Sequence, residues 1–376
     1  MLKNLLRVEI GSPKVRIHFA AAATRHNAFT IDHDNTTTSP EVSMLQHKAV
    51  AFALSIIVFA SSISCQEDSA GNIVNPPIVR QWQQAADFAG QPVRGSGAFS
   101  IGANAYVVSG LVDGAGLVPD VWQYNSATNS WTRKGNFPGI PRLDMCGFSI
   151  GTKGYICLGS DNVGYLSDIW EYDSQNDLWT QRGDFPGRGR LLATALVLGQ
   201  KAYIVAGANA SGSERDVWEF DPQANKWTQK KDFPGGARAS AAGFVVGDKG
   251  YLGTGIVPPG LTLVRDFWEY DPQNDQWTRK ADFPGVARAY AQGFSLGSKG
   301  YVGLGLLAVA EGGSSVTLTK DLWEYDASDT TWTRMQDIPA SGRSMAVCFA
   351  VGTWGFVGLG NNERIVNLLD LWKFAP

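Results

Sequence analysis

The sequence predicts an all-β protein, six four-stranded sheets arranged as a six-bladed β-propeller. Three observations carry that reading. A phrase of the form Asp-x-Trp-x-Tyr opens at Asp120, Asp168, Asp216, Asp266, Asp321 and Asp370, in steps of 48, 48, 50, 55 and 49 residues, and periods of this size mark repeat architectures. A Trp follows eleven residues after each of the first five, at Trp131, Trp179, Trp227, Trp277 and Trp332, while Trp82 precedes the first copy. A lone Arg falls once per copy, at Arg94, Arg142, Arg190, Arg238, Arg288 and Arg343, so that this marker also counts six.

Each repeat reads as four short strands. Runs such as Ala241 to Val246 and Gly250 to Thr254 are brief, apolar or Gly-rich, and bounded by turn residues. Antiparallel four-stranded sheets repeated radially bury one blade's face against the next and leave only short edges. The two ends of the repeat region are offset: it starts with a Trp82-type fourth strand and finishes at Leu371-Trp372-Lys373-Phe374, a third strand. The last blade is therefore expected to be closed by the N-terminal strand, which removes two edges open to aggregation.

The residues Arg288, then Gly297-Ser298-Lys299-Gly300-Tyr301, then Asp321, Trp323, Tyr325 and Trp332 resemble the kelch repeat in kind and spacing, and the resemblance covers about residues 80–376. It departs at the glycine doublet usual after the second strand, which here is Leu158-Gly159, Ala206-Gly207, Thr254-Gly255, Leu304-Gly305 and Leu359-Gly360. A WD40 ring has an overlapping period, but its G-H and W-D signatures are missing from this chain.

Upstream of the ring, residues 49 to 64 form an apolar run behind Lys48 that ends Ser62-Ile63-Ser64-Cys65 before an acidic turn at Gln66-Glu67-Asp68. The run is short for a membrane span. It resembles a bacterial lipoprotein signal in which Cys65 is lipidated, which implies an exported protein held at the outer membrane of the cell envelope, facing periplasm or exterior, by a lipid anchor alone. The expected organisation is 1–43 an over-extended, disordered start, 44–64 the signal peptide, 65–79 a flexible tether and 80–376 the propeller. Residues 66 to 79 suit a tether, being rich in Ser, Gly, Asn and Pro.

Composition narrows the function. The net charge is −3, which argues against nucleic acid. All four histidines, His18, His26, His33 and His47, precede the repeats. A Ser-His-Asp or Cys-His hydrolase, and a His-based zinc site, are thereby excluded from the ring. Galactose oxidases share the kelch-type propeller, but their copper site resembles a constellation of Tyr, Cys and His that this ring cannot build. No cofactor and no metal are expected. Three cysteines remain in the ring, and a two-residue turn at Gly151-Thr152 would set Cys146 opposite Cys157.

A residue repeated in every blade is expected to build the blade, so the Arg column is read as structural, bridging to the repeated Asp or a nearby carbonyl. Glu171, Glu219, Glu269 and Glu324 are read likewise, as solvated or strand-pairing charges. Binding should sit where the copies vary, in the loops between second and third strands, which share a face with the loops entering the first strand. The candidate binding face comprises Asp161, Asn162, Tyr165, Asn209, Arg265, Asn361 and Asn362, with Asp144 and Tyr290 just inside the first strands. The weak catalytic candidates are Glu214, Arg215, Glu363 and Arg364, a carboxylate beside a cation in each of two loops. The expected function is a binding or interaction module for a glycan, peptide or envelope protein. The alternative is a cofactor-free carbohydrate isomerase similar to sialic acid mutarotase.

Overall fold

Alternation decides the sheets: inner strands such as Cys146–Ile150 bury every second side chain, the pattern of a strand packed on its neighbours. In the computed structural model this strand pairs with Lys153–Cys157 around Gly151-Thr152, with Cys146 opposite Cys157 and Ile150 opposite Lys153, as the turn predicts. Phe148 stacks on Tyr155 across the pair, ring centres 5.2 Å apart; the same Phe-on-Tyr stack recurs at Phe99–Tyr106, Phe244–Tyr251 and Phe294–Tyr301, and as Phe on Phe at Phe349–Phe356.

The structure describes residues 81–309 and 316–376 (side chains 308 and 309 excepted) and, upstream, only two short strand pairs, Arg16–Phe19 with Phe29–Asp32 and Gln66–Glu67 with Ile73–Val74. The signal, the lipidation of Cys65 and the remainder of residues 1–80 lie outside it. The chain divides into two compact units, 1–77 and 78–376.

The second unit holds six four-stranded antiparallel sheets. Five are continuous in sequence, spanning 97–133, 146–184, 194–230, 242–280 and 292–334. The sixth joins Val347–Val351, Trp354–Gly358 and Leu371–Phe374 to Trp82–Gln84, in a register that sets Phe374 against Trp82 and Lys373 against Gln83. The rings of Trp82 and Phe374 lie 5.2 Å apart, and the Trp82 indole donates to the Gln336 carbonyl at 2.9 Å. The N-terminal strand thus closes the last blade.

Blades pack face to face. A Cβ on Gly154 would run into the Phe99 ring of the preceding blade, and one on Gly300 into Phe244. Gly154, Gly300 and Gly355 are therefore seats for the preceding blade's Phe ring, and Gly250 for Leu196, and a side chain there would push the blades apart.

One feature went unread in the sequence. The loops between second and third strands are largely two-stranded ribbons: Leu111–Val112 with Gly116–Leu117, Ala208–Asn209 with Gly212–Ser213, Ile256–Val257 with Thr262–Leu263, and Leu306–Val309 with Val316–Leu318. Each also bridges to the loop entering the first strand of its own blade, as in Leu191 to Ala208, Ala239 to Ile256 and Ala289 to Leu306. Those bridges place the two loop sets on one face.

Candidate functional site

The repeated Arg is the keystone of each blade's loop face. Arg142, Arg190, Arg238, Arg288 and Arg343 are fully buried. Each grips the Asp that opens the third strand with both terminal nitrogens, as Arg238 does Asp266 at 2.8 Å and 2.8 Å; the other pairs are Arg142–Asp168, Arg190–Asp216, Arg288–Asp321 and Arg343–Asp370. The Trp two residues on adds its indole N–H to that carboxylate, at 2.7 Å for Trp268 to Asp266. Burial by itself would raise these Asp pKa values, but the arginine's hydrogen bonds and charge more than offset it and hold them below the usual carboxylate range. In four blades the Phe of the Asp/Asn-Phe-Pro-Gly step covers the guanidinium, 4.5 Å away for Phe233 and Arg238.

The same Arg fixes the departure from the glycine doublet. Leu158, Ala206, Thr254, Leu304 and Leu359 stand at φ between 58° and 64°, a left-handed conformation costly for any side chain. The Arg Nη1 holds each by its carbonyl, for example Ala206 at 3.0 Å. The retained glycine follows at φ 106° in Gly207, where its N–H donates to the next blade's Arg238 carbonyl at 2.9 Å.

Two residues after the Arg the chain turns left-handed again, at Asp144, Leu192, Ser240, Tyr290 and Met345, with φ from 50° to 57°. Here backbone hydrogen bonds pass from blade to blade: Asp144 N–H to Gly95, Leu192 to Asp144, Ser240 to Leu192, Tyr290 to Ser240 and Gly95 to Met345, at 2.8 to 3.1 Å. This collar surrounds the mouth of the central channel. Below it lies a cavity of about 240 Å³ walled largely by small residues such as Gly97, Ala98, Ala193, Ala241 and Gly293. All six collar residues line it. Asp144 and Tyr290 belong to the second and fifth blades, which are opposite one another in a ring of six. Burial pushes the Asp144 carboxyl up to about 7, against the pull of the Arg94 charge. Burial chiefly, with the charge of Asp144 adding to it, pushes the Tyr290 phenol up to about 12.

The collar exposes an error in the sequence reading: Arg94 is not the sixth member of the Arg column. The Arg stands five residues after the aromatic or Ile of the preceding loop in five copies (Phe137 to Arg142, Ile338 to Arg343), but five after Phe88 is Val93. Gly95, at φ 65°, then falls into the collar position. Arg94 is displaced by one and turns out of the socket, with Nη1 2.6 Å from Asp113 and 2.8 Å from Asn367 Oδ1. Asp120 pairs instead with Arg133 at 2.8 Å.

The other predicted residues divide by role. Asp161 accepts the N–H groups of Gly164 and Val163 at 2.7 and 2.9 Å, which hold its carboxyl below the usual range. Asn209 bonds Glu214 at 2.8 Å and caps the Ser211 N–H. Asn361 receives the Ser344 hydroxyl, and Asn362 the N–H of Arg364 and of Val366. These four build their loops. Asn162, Tyr165 and Arg265 are exposed on the face. Glu214, Arg215, Glu363 and Arg364 do not line the cavity: Arg215 reaches outward to Asp232 at 3.1 Å, and Glu363 and Arg364 are solvent-exposed. Glu171, Glu219, Glu269 and Glu324 accept cross-strand bonds from Tyr155, Tyr203, Tyr251 and Tyr301 at 2.6 to 2.9 Å. Among the described residues no group of three or more His, Cys, Asp or Glu is placed to hold a metal ion.

A ring of Arg-Asp keystones, Gly-Tyr inner hairpins and an end-to-end closed sixth sheet is a kelch-type β-propeller. The family model described as Kelch motif matches residues 189–234, one copy of the repeat. The solved structure titled "Structure of YjhT" superposes with a TM-score of 0.66 over 76% of this chain and 95% of that one, at 16% identity; likeness at that identity concerns the fold. No curated protein matches the chain in sequence. The match to one repeat and the superposition establish the fold, and function has to be argued from the site it carries.

Proposed function

We propose that this protein is an extracytoplasmic interaction module that docks a protein or peptide partner on the loop face around the channel mouth. One asymmetry carries the reading. Among the described residues of the ring nine large hydrophobic side chains are exposed, and of these Leu178 alone lies on the opposite face. Val163 and Tyr165 project from the second blade's loop, Leu261 from the fourth, Ile365, Val366 and Leu369 from the sixth, while Ile140 and Val286 stand in the loops entering first strands. Exposed apolar side chains gathered on one side of a rigid scaffold mark an interaction surface. Cys65, lipidated, would tether the ring to the outer membrane and present this face to envelope partners.

The test is a photo-crosslinking residue placed at Tyr165 or at Leu178 in the native envelope. A discrete adduct from position 165 and none from 178 is the expected result. Adducts of equal yield from both sites, or from neither, overturn the reading. Radiolabelled palmitate incorporated by the chain and lost in Cys65→Ser tests the anchor.

A second reading, the cofactor-free carbohydrate isomerase, is favoured by Asp144, whose carboxyl near pH 7 suits a general base, set across a cavity from Tyr290. Anomer exchange followed by NMR, faster with the protein than with Asp144→Asn, would support it; equal rates dispose of it.

A further inference from the structure

The channel mouth holds one carboxylate that the fold leaves unbalanced. Asp144 is locked in place by its backbone, its N–H on Gly95 and its carbonyl receiving Leu192, yet no hydrogen bond reaches its carboxylate from any described residue. The nearby cation, Arg94, is taken by Asp113 and Asn367 and acts on Asp144 through charge alone. Gly95 beside it carries no side chain, and Leu192 on its other side is apolar. Across the mouth stands the Tyr290 ring, with Met345 next to it in the collar.

An ionised carboxylate partly withdrawn from water without a partner is costly, and a counter-charge removes most of that cost. An anionic guest would add repulsion. A neutral guest would leave the charge unmatched. A cation on a slender apolar stem satisfies the carboxylate, the aromatic face and the small-walled cavity together. We infer that the mouth receives a single basic side chain, lysine or arginine, carried by the partner docked on this face: Asp144 pairs its charge, Tyr290 stacks against it, and the stem enters the cavity of about 240 Å³. The inference rests on the docking reading above and specifies the chemistry of what docks.

A pH signature follows. The guest needs Asp144 ionised, and burial puts its free-state pKa at about 7; affinity therefore falls about tenfold per unit below that pH and levels off above it. The other polar or titratable groups around it do not mimic this. Arg94 is held by Asp113 and Asn367, burial pushes the Tyr290 phenol up to about 12, Cys348 on the cavity wall is pushed to about 12, Cys146 donates its thiol to the Ala193 carbonyl, and the ring contains no histidine.

Titration calorimetry of the full-length chain, with Nα-acetyl-lysine N-methylamide and its arginine counterpart as probes, decides the matter. Expected is saturable one-to-one binding of at least one probe, no binding of the norleucine counterpart, the pH profile above, and at least a tenfold loss in Asp144→Asn. Tyr290→Phe should bind and Tyr290→Ala should weaken. Absence of saturable heat up to about 20 mM probe, where affinity would be under about 2.3 kcal/mol, equal binding of norleucine amide, or an unaltered Asp144→Asn overturns the inference. A surviving adduct at position 165 alongside such a failure leaves the docking reading standing, whereas loss of that adduct in the unaltered protein removes the docking reading itself. Asp144→Asn keeps size and hydrogen-bonding shape, and its melting curve reports that it is folded.

Discussion

Val93 and Asp120 line one small cavity of the first blade, in the place where Arg142 grips Asp168 in the second. The exchange leaves the Trp122 indole, the counterpart of Trp170, without a hydrogen-bond partner and sends Arg94 to Asp113 and Asn367 instead of to Asp120. One residue of extra loop between Phe88 and Arg94 has thus moved the cation out of the keystone socket into a partly exposed contact.

That conversion has a measurable consequence. Arg238→Ala strands the Asp266 carboxylate and a set of carbonyls in the interior, and breaking a buried pair from one side costs about 3–5 kcal/mol. Arg94→Ala breaks a partly exposed contact to Asp113 and one bond to Asn367, worth about 1 kcal/mol or less. Urea denaturation of the two variants should show that gap. Equal losses would mean that Arg94 is a keystone after all.

The ring was legible because its markers are dictated by packing that repeats: Trp131, the Gly154-Tyr155 step and Asp168 each have counterparts a fixed distance away. Blade closure by Trp82 was legible for the same reason. The register of the first Arg was not, because Arg94 lies 48 residues before Arg142 just as Asp120 does before Asp168, and only counting from Phe88 separates them. The ribbons of the variable loops were missed since pairs such as Ala208–Asn209 with Gly212–Ser213 are too short to show alternation. Asp144 and Tyr290 were within reach as the ionisable and phenolic members of a variable position two after the Arg. Glu214 and Glu363 were not separable from them by sequence, because whether a loop side chain turns inward depends on the ribbon twist.

The left-handed residue before each loop glycine offers a stabilising change. Ala206 sits at φ 60°, where glycine is unstrained, and Ala206→Gly should raise stability by about 0.5–1 kcal/mol. Gly207→Ala should do the reverse, by about 1–3 kcal/mol, because its Cβ would lie 2.9 Å from that of Ala193 and 3.0 Å from the Leu191 carbonyl oxygen at φ 106°. Thermal melts of the two variants against the parent check both signs.

The three ring cysteines are free thiols. A hydrogen bond with Cys146, then burial, raises the Cys157 pKa, and burial raises Cys348 to about 12. Since the thiolate is the reactive form, iodoacetamide at pH 8 should leave Cys157 and Cys348 unmodified in the native protein and alkylate both in guanidinium. Site-resolved peptide mass spectrometry reads this, and rapid native labelling at Cys348 would contradict the geometry.

Asp144 should make the fold lose stability as pH rises through neutrality. Its folded pKa, about 7, stands above the unfolded value of about 3.9, so the folded state binds the proton more tightly. Stability from this group is therefore full at low pH, declines between about pH 4 and 7, and is lost above 7. The five keystone aspartates work in the opposite sense, being depressed by their arginines, and their contribution fades only as pH falls below about 4. Asp144→Asn removes the first effect and leaves the second. It should stabilise the ring at pH 8 by on the order of a few kcal/mol, stabilise it much less at pH 5, and leave the acid limb below pH 4 in place. Chemical denaturation at these three pH values distinguishes the pattern from a uniform shift, which would mean that Asp144 is paired or solvated and that the mouth carries no unbalanced charge.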